Sequence, residues 1–164
     1  MHTTAPVEVE LEIPTAEMGR RHNQTIDMQA AESYQPANKA KDHFIQRNGV
    51  EFAGTHLLLD LYGANYLDDI GRIEQAMREI VTGCGATLLH IHLHHFSPSG
   101  GVSGVAVLAE SHISVHTWPE RDYAAFDVFM CGDAQPENAV PVLKRALFPR
   151  RIEVFEELRG RVQK

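Results

Sequence analysis

Basic charge, aromatic bulk and cysteine are all scarce in this chain. Lys and Arg number 15 against 22 Asp and Glu, a formal net charge of −7. That balance argues against a nucleic-acid-binding surface, which needs clustered basic residues. No run of about 18 or more apolar residues occurs, which excludes a transmembrane helix. The opening stretch, MHTTAPVEVELEIPTAEMGRR, lacks the basic start and apolar core of a signal peptide. Two cysteines, Cys84 and Cys131, are too few for a disulfide framework. Each is read as a free thiol in a reducing cytoplasm. Aromatic residues make up only 7%, so aliphatic side chains must fill most of the core that a 43% hydrophobic composition allows. The length of 164 residues suits one domain, or one domain with a tail. Histidine is plentiful: there are ten, including His90, His92, His94 and His95 in one short run.

Residues 1–50 are mostly polar and carry Pro6, Pro14 and Pro36. Only Val7, Val9, Leu11 and Ile13, alternating with Glu8, Glu10 and Glu12, suggest a short strand. This segment reads as a mostly flexible extension, with the folded domain at 51–164. From Phe52 the periodicities predict β-α-β-β-β-β-α-β. The strands are 52–62, 86–96, 102–109, 113–118, 123–130 and 151–158. The first helix is capped by Asn65, carries an apolar stripe from Leu67 to Cys84 and ends at Gly83 and Gly85. The second spans Pro136 to Leu147, with Pro141 against its first turn. Adjacent strands favour hairpins, so the fold class is α+β: a mainly antiparallel sheet with two helices on one face.

Three groups of residues could carry chemistry. His90, His92 and His94 alternate on a strand and so share one face, which suggests a zinc site. On a strand they spread along about 13 Å, too far for one ion to reach all three. A polar sheet face, or one packed on a partner subunit, is the favoured reading, and no metal is assigned. Gly100, Gly101 and Gly104 make a tight loop presenting Ser103, but no Gly-Lys-Ser/Thr follows, so this is not a phosphate cradle. The densest group runs from Glu110 through Ser111, His112, Ser114 and His116 to Glu120, with Cys131 beyond. Ser/His or Cys/His nucleophilic catalysis would fit it, as would ordinary surface and core roles.

The run Gly101 to Glu120 (GVSGVAVLAESHISVHTWPE), followed by Tyr123 to Gly132, closely resembles the prokaryotic S-adenosylmethionine decarboxylase proenzymes. The resemblance extends from about Phe52 to Arg161 and includes Gly54-Thr-His56-Leu and Gly85-Ala-Thr87. It implies the family's two-layer sandwich and a chain that makes its own cofactor. Ser111 would attack the Glu110 carbonyl, and the chain would break into β (1–110) and α (111–164) parts with a pyruvoyl group at residue 111. His116 matches the processing base and Ser103 its helper. The pyruvoyl group would form a Schiff base with the substrate amine, and Cys131 matches the proton donor. Glu120 matches the residue holding the substrate ribose, and Phe96 an aromatic near adenine. The implied product feeds spermidine synthesis. L-arginine and L-ornithine remain alternative substrates, with a non-catalytic paralogue or a His-rich metal-binding protein further alternatives. The resemblance also implies a dimer of αβ protomers packed sheet on sheet, with His90 and His92 as interface candidates.

Overall fold

The computed structural model describes residues 44–162. The expected Val7–Ile13 strand, and the extension as far as residue 43, lie outside the described residues. In chain order the elements are β1 (Ile45–Arg47), β2 (Val50–Phe52), β3 (Gly54–Tyr62), α1 (Ile70–Gly83), β4 (Leu88–His95), β5 (Val102–Leu108), β6 (Ser111–Trp118), β7 (Tyr123–Cys131), α2 (Ala139–Leu147) and β8 (Arg151–Arg159). Short 3-10 turns occupy Pro119–Arg121 and Pro136–Asn138. From β3 onward this is the predicted order. Six strands form one sheet in the order β4-β5-β6-β7-β3-β8, and every neighbouring pair is antiparallel.

Two local readings are corrected. The expected boundary at residue 50 falls inside the β1–β2 hairpin. Its turn, Asn48-Gly49, has φ values of 53° and 78°, the pattern of a type I′ turn. The segment is tied to the sheet by the Val162 N–H donating to the Glu51 carbonyl and by an Arg47–Glu156 ion pair. The first helix is capped by Asp69 rather than Asn65: Asp69 Oδ1 accepts the Arg72 N–H at 2.9 Å. Asn65 instead serves the end of α2, donating its backbone N–H to the Leu147 carbonyl and its Nδ2 to the Phe148 carbonyl. Pro141 is tolerated as the third residue of α2, because N–H groups in a first turn have no intrahelical partner.

The helices cover one face of the sheet. Ile73, Met77 and Ile80 of α1 and Leu143 and Leu147 of α2 meet Leu59, Val102, Ile113, Phe126 and Met130 from the strands, all of them buried. Each such side chain contributes about 1.5–3 kcal/mol by leaving water. Thr117 is a buried polar group of β6 in this layer. Its hydroxyl donates to the Leu67 carbonyl and accepts the Val102 N–H, both at 2.7 Å, which fixes the start of β5 against the chain leading to α1.

The opposite face has no helix over it among the described residues. Register lines its side chains up in rows across the strands. One row is His90, Val107, His112, Phe129, His56 and Glu157; the next is His92, Val105, Ser114, Asp127, Leu58 and Phe155. Leu58, Val105, Val107, Trp118 and Phe155 of this face are all exposed. Such a concentration of exposed apolar groups on one sheet face is more than singly scattered surface residues. Asp127 ties the centre of the face together, accepting from Ser114 Oγ at 2.8 Å and lying 3.2 Å from His56 Nε2. No helix among the described residues is long and apolar enough to cross a membrane.

Partial burial lowers the pKa of His112, His56 lowers it further, and Asp127 partly opposes both. The folded chain therefore holds this proton more weakly than the unfolded chain, whose imidazole titrates near about 6.5. The stabilisation is fully present above that pH and is lost as pH falls through the folded value. Thermal melts of an uncut Ser111→Ala chain should show the midpoint falling between about pH 7 and about pH 5. His112→Phe should make that fall shallower, and equal slopes would remove His112 as a source of the acid sensitivity.

Candidate active site

The two-residue turn Ala109-Glu110 joins β5 to β6, with Leu108 paired to Ser111. Glu110 has φ +62°, in the left-handed region that L side chains rarely enter. Both flanks are held. The Ala109 N–H donates to the Thr87 carbonyl at 2.9 Å, and Ser111 Oγ accepts the Cys131 N–H at 3.1 Å. Thr87, Ala109, Glu110, Ser111, Cys131 and Asp133 help to line a cavity of about 270 Å³. The β6–β7 hairpin returns Cys131 to Ser111, so the structure joins Glu110, Ser111 and Cys131 in one place. Burial pushes the Cys131 thiol pKa up, and the Glu110 charge adds to the rise. A thiol that keeps its proton is suited to donating it rather than to nucleophilic attack.

Ser103 and His116 form a second group near the other end of the same hairpin. They are register partners, with Ser103 Oγ 2.8 Å from His116 Nδ1. The resemblance gives His116 the proton on Ser111 Cα, yet one chain does not bring these two together. Five residues of strand, rising about 3.4 Å each, separate them by about 17 Å. An odd spacing also sends their side chains to opposite faces. Ser111 shares the parity of the buried Ile113 and Val115, whereas His116 stands on the open face.

Glu120 and Phe96 lie at this second end. Glu120 is exposed on the turn after β6, and Phe96 follows β4. The Phe96 N–H donates to the Gly101 carbonyl at 2.8 Å. A Cβ on Gly101 would come within 2.8 Å of the Thr117 carbonyl, so glycine lets the loop lie against the end of β6. The predicted site residues therefore fall into two half-sites: Glu110, Ser111 and Cys131 at the tip of the hairpin, and Phe96, Ser103, His116 and Glu120 at its base.

His90, His92 and His94 pair with Val107, Val105 and Ser103 and stand on the open face. No group of three or more His, Cys, Asp or Glu among the described residues is placed to hold a metal ion. A larger opening of about 460 Å³ beside α1 and α2, lined by Asp69, Arg72, Gln75, Glu79 and Arg145 among others, contains none of the predicted site residues. The His56–Asp127–Ser114 network is absent from the sequence reading, because its members come from three strands with no short spacing to link them.

Comparison with known proteins gives these positions a context. The S-adenosylmethionine decarboxylase family model matches residues 55–160. An S-adenosylmethionine decarboxylase proenzyme from Thermomicrobium roseum is 44% identical over 110 residues, covering 66% of this chain and 95% of the relative. One from Methanococcus maripaludis is 49% identical over 110 residues, covering 65% and 89%. The crystal structure of the adenosylmethionine decarboxylase from Aquifex aeolicus superposes with a TM-score of 0.60 at 34% identity, covering 69% of this chain and 95% of that one. With this shared fold and a family match across all six strands of the main sheet, the chain belongs to the S-adenosylmethionine decarboxylase family.

Proposed function

We propose that the chain is a proenzyme that cuts itself between Glu110 and Ser111 and then decarboxylates S-adenosylmethionine in the cytoplasm, supplying aminopropyl groups for spermidine. The observation that carries this reading is the placement of Ser111. It directly follows Glu110 at an exposed turn, and its hydroxyl is held by the backbone N–H of Cys131 beside a cavity.

Ser111 Oγ adds to the Glu110 carbonyl carbon, the C–N bond breaks, and the hydroxyl proton passes to the freed nitrogen. The amide has become an ester. A base removes the Ser111 Cα proton, and Glu110 leaves from Cβ as a carboxylate. Water then replaces the nitrogen, ammonia departs, and a pyruvoyl group remains at residue 111. The products are a β chain of 1–110 and an α chain of 111–164. The residues at the tip fit this group: a serine begins β6, and its cavity is bordered by a thiol. The pyruvoyl group supplies a ketone that accepts electron density as CO₂ is lost. Cys131 Sγ holds a proton through this step and delivers it to the carbon that has lost CO₂. The Glu120 carboxylate accepts hydrogen bonds from the ribose diol, and Phe96 offers a face to the adenine.

The processing base must come from elsewhere, because His116 of the same chain is about 17 Å from Ser111. A second copy packed on the open sheet face provides it, its His116 needing to reach only the Ser111 Cα at the end of the strand and not the Ser111 side chain. Two-fold symmetry lays the base of one hairpin beside the tip of the other, so that each site takes Ser111 and Cys131 from one chain and Ser103 and His116 from its partner. The exposed Leu58, Val105, Val107, Trp118 and Phe155 are then covered by the same contact.

Three outcomes test this. Ser111→Ala should remain one chain in mass spectrometry, and a cut at the same bond would refute the internal-serine mechanism. Cys131→Ala should still cleave but lose at least about 100-fold in turnover of S-adenosylmethionine or misplace the proton; full activity with the correct product would make Cys131 a packing residue. Finally, tagged Ser111→Ala and His116→Ala chains, each uncut when alone, should be co-expressed. Completion between subunits predicts that the His116→Ala chain is now cleaved, using the partner's base. If neither chain is cut in the mixed dimer, the two-chain site is wrong.

A further inference from the structure

We propose that the turn Ala109-Glu110 is held in a strained backbone conformation that drives the cleavage of the bond following it, an inference that rests on the self-processing reading above. Two-residue hairpin loops favour type I′ and II′ turns, and both need positive φ at the first loop residue. Here Ala109 keeps a negative φ, while Glu110 takes +62°. A negative value followed by a positive one is the type II pattern, which asks for Gly or Asn at the second position and twists against the flanking strands. Glu has neither the missing Cβ of glycine nor the short amide that lets Asn tolerate this region.

The same chain contains an unstrained version of such a loop. The β1–β2 hairpin turns at Asn48-Gly49, with both φ values positive and with residue types suited to them. The strain in the second hairpin is confined to Glu110 because both flanks are held. The Thr87 carbonyl accepts the Ala109 N–H, the Cys131 N–H holds Ser111 Oγ, and Leu108 pairs with Ser111. Relaxation to type I′ would have to break one of these. Moving the Glu110 acyl group from the Ser111 nitrogen to its Oγ breaks the peptide C–N bond and routes the chain through the Ser111 Oγ and Cβ, a longer link with more rotatable bonds. Glu110 can then rotate out of the left-handed region, and the stored strain lowers the barrier to that step. Glu110 is thus a positioning residue acting through its backbone.

The test separates strain from chemistry. In the uncut Ser111→Ala background, Glu110→Gly and Glu110→Ala should be compared by thermal melting. At an ordinary negative φ, glycine is the less stable of the two. At a strained positive φ the order inverts, and Glu110→Gly should melt about 2–5 °C above Glu110→Ala. With Ser111 restored, Glu110→Gly should cleave about three- to tenfold more slowly than Glu110→Ala, with Glu110→Asn between them. A higher melting point for Glu110→Ala, or equal cleavage rates for glycine and alanine, would overturn the proposal. A complete failure of the unmodified chain to cleave would instead overturn the self-processing reading, while the melting order would still decide whether the turn is strained.

Discussion

The pairing register of one hairpin organises everything else in this protein. Leu108 opposite Ser111 fixes a two-residue loop, and each further step along the ladder is then determined: Val107 with His112, Val105 with Ser114, Ser103 with His116. A slip of one residue would turn every side chain of β6 to the other face. Ile113, Val115 and Thr117 would leave the core, and His112, Ser114 and His116 would enter it. The buried apolar positions of β6 thereby hold the polar ones in place. The Thr117 hydroxyl adds a directional lock, because it bridges Leu67 and Val102 within the same layer.

The two faces of the sheet obey different rules. The helix side is aliphatic and closed, and its stability comes from area removed from water. The open side mixes imidazoles, carboxylates, hydroxyls and aromatic rings. Trp118 and Tyr123 lie with ring centroids 5.3 Å apart, Tyr62 and Tyr123 are at the same separation, and Arg151 stands 4.2 Å from the Tyr62 ring. Burial raises the Tyr123 phenol pKa, and the hydrogen bond it donates to Asp60 at 2.5 Å adds to the rise. Such a face can be buried against a second copy only where its polar groups already have partners. Much of its centre meets that condition within a single chain, through Asp127 with His56 and Ser114, Asp60 with Tyr123, and Ser103 with His116.

Legibility in the sequence followed the range of the forces involved. Strands and helices from Gly54 to Arg159 were readable because apolar period and turn residues are local signals. The Asn48-Gly49 hairpin carried an equally local signal, a dipeptide that favours type I′, but it sat in a polar stretch that drew attention to its composition instead. Asn65 and Asp69 are both good caps by type, and only the docking of Asn65 on the end of α2 decides between them. The division of the site into two half-sites was partly readable. A spacing of five between Ser111 and His116 implies opposite faces once both lie on one strand, but the predicted strand began only at Ile113, whereas β6 begins at Ser111. The return of Cys131 to Ser111 was not readable from spacing, since it depends on where β7 ends against β6. The family resemblance supplied the residues of both halves without their geometry.

Under the proposed self-processing, the tip of the hairpin would support two chemistries in succession, and the demands differ. Before cleavage the reacting nucleophile is the Ser111 hydroxyl, and a thiolate at Cys131 would be a competing nucleophile beside the same carbonyl. After cleavage Cys131 must still hold a proton when a carbanion forms. In the uncut chain burial, and after it the neighbouring Glu110 charge, push the thiol pKa upward, which suppresses the thiolate while the Ser111 hydroxyl reacts. On that proposal Glu110 acts twice before the cut: its backbone shapes the turn, and its carboxylate acts on the thiol beside it.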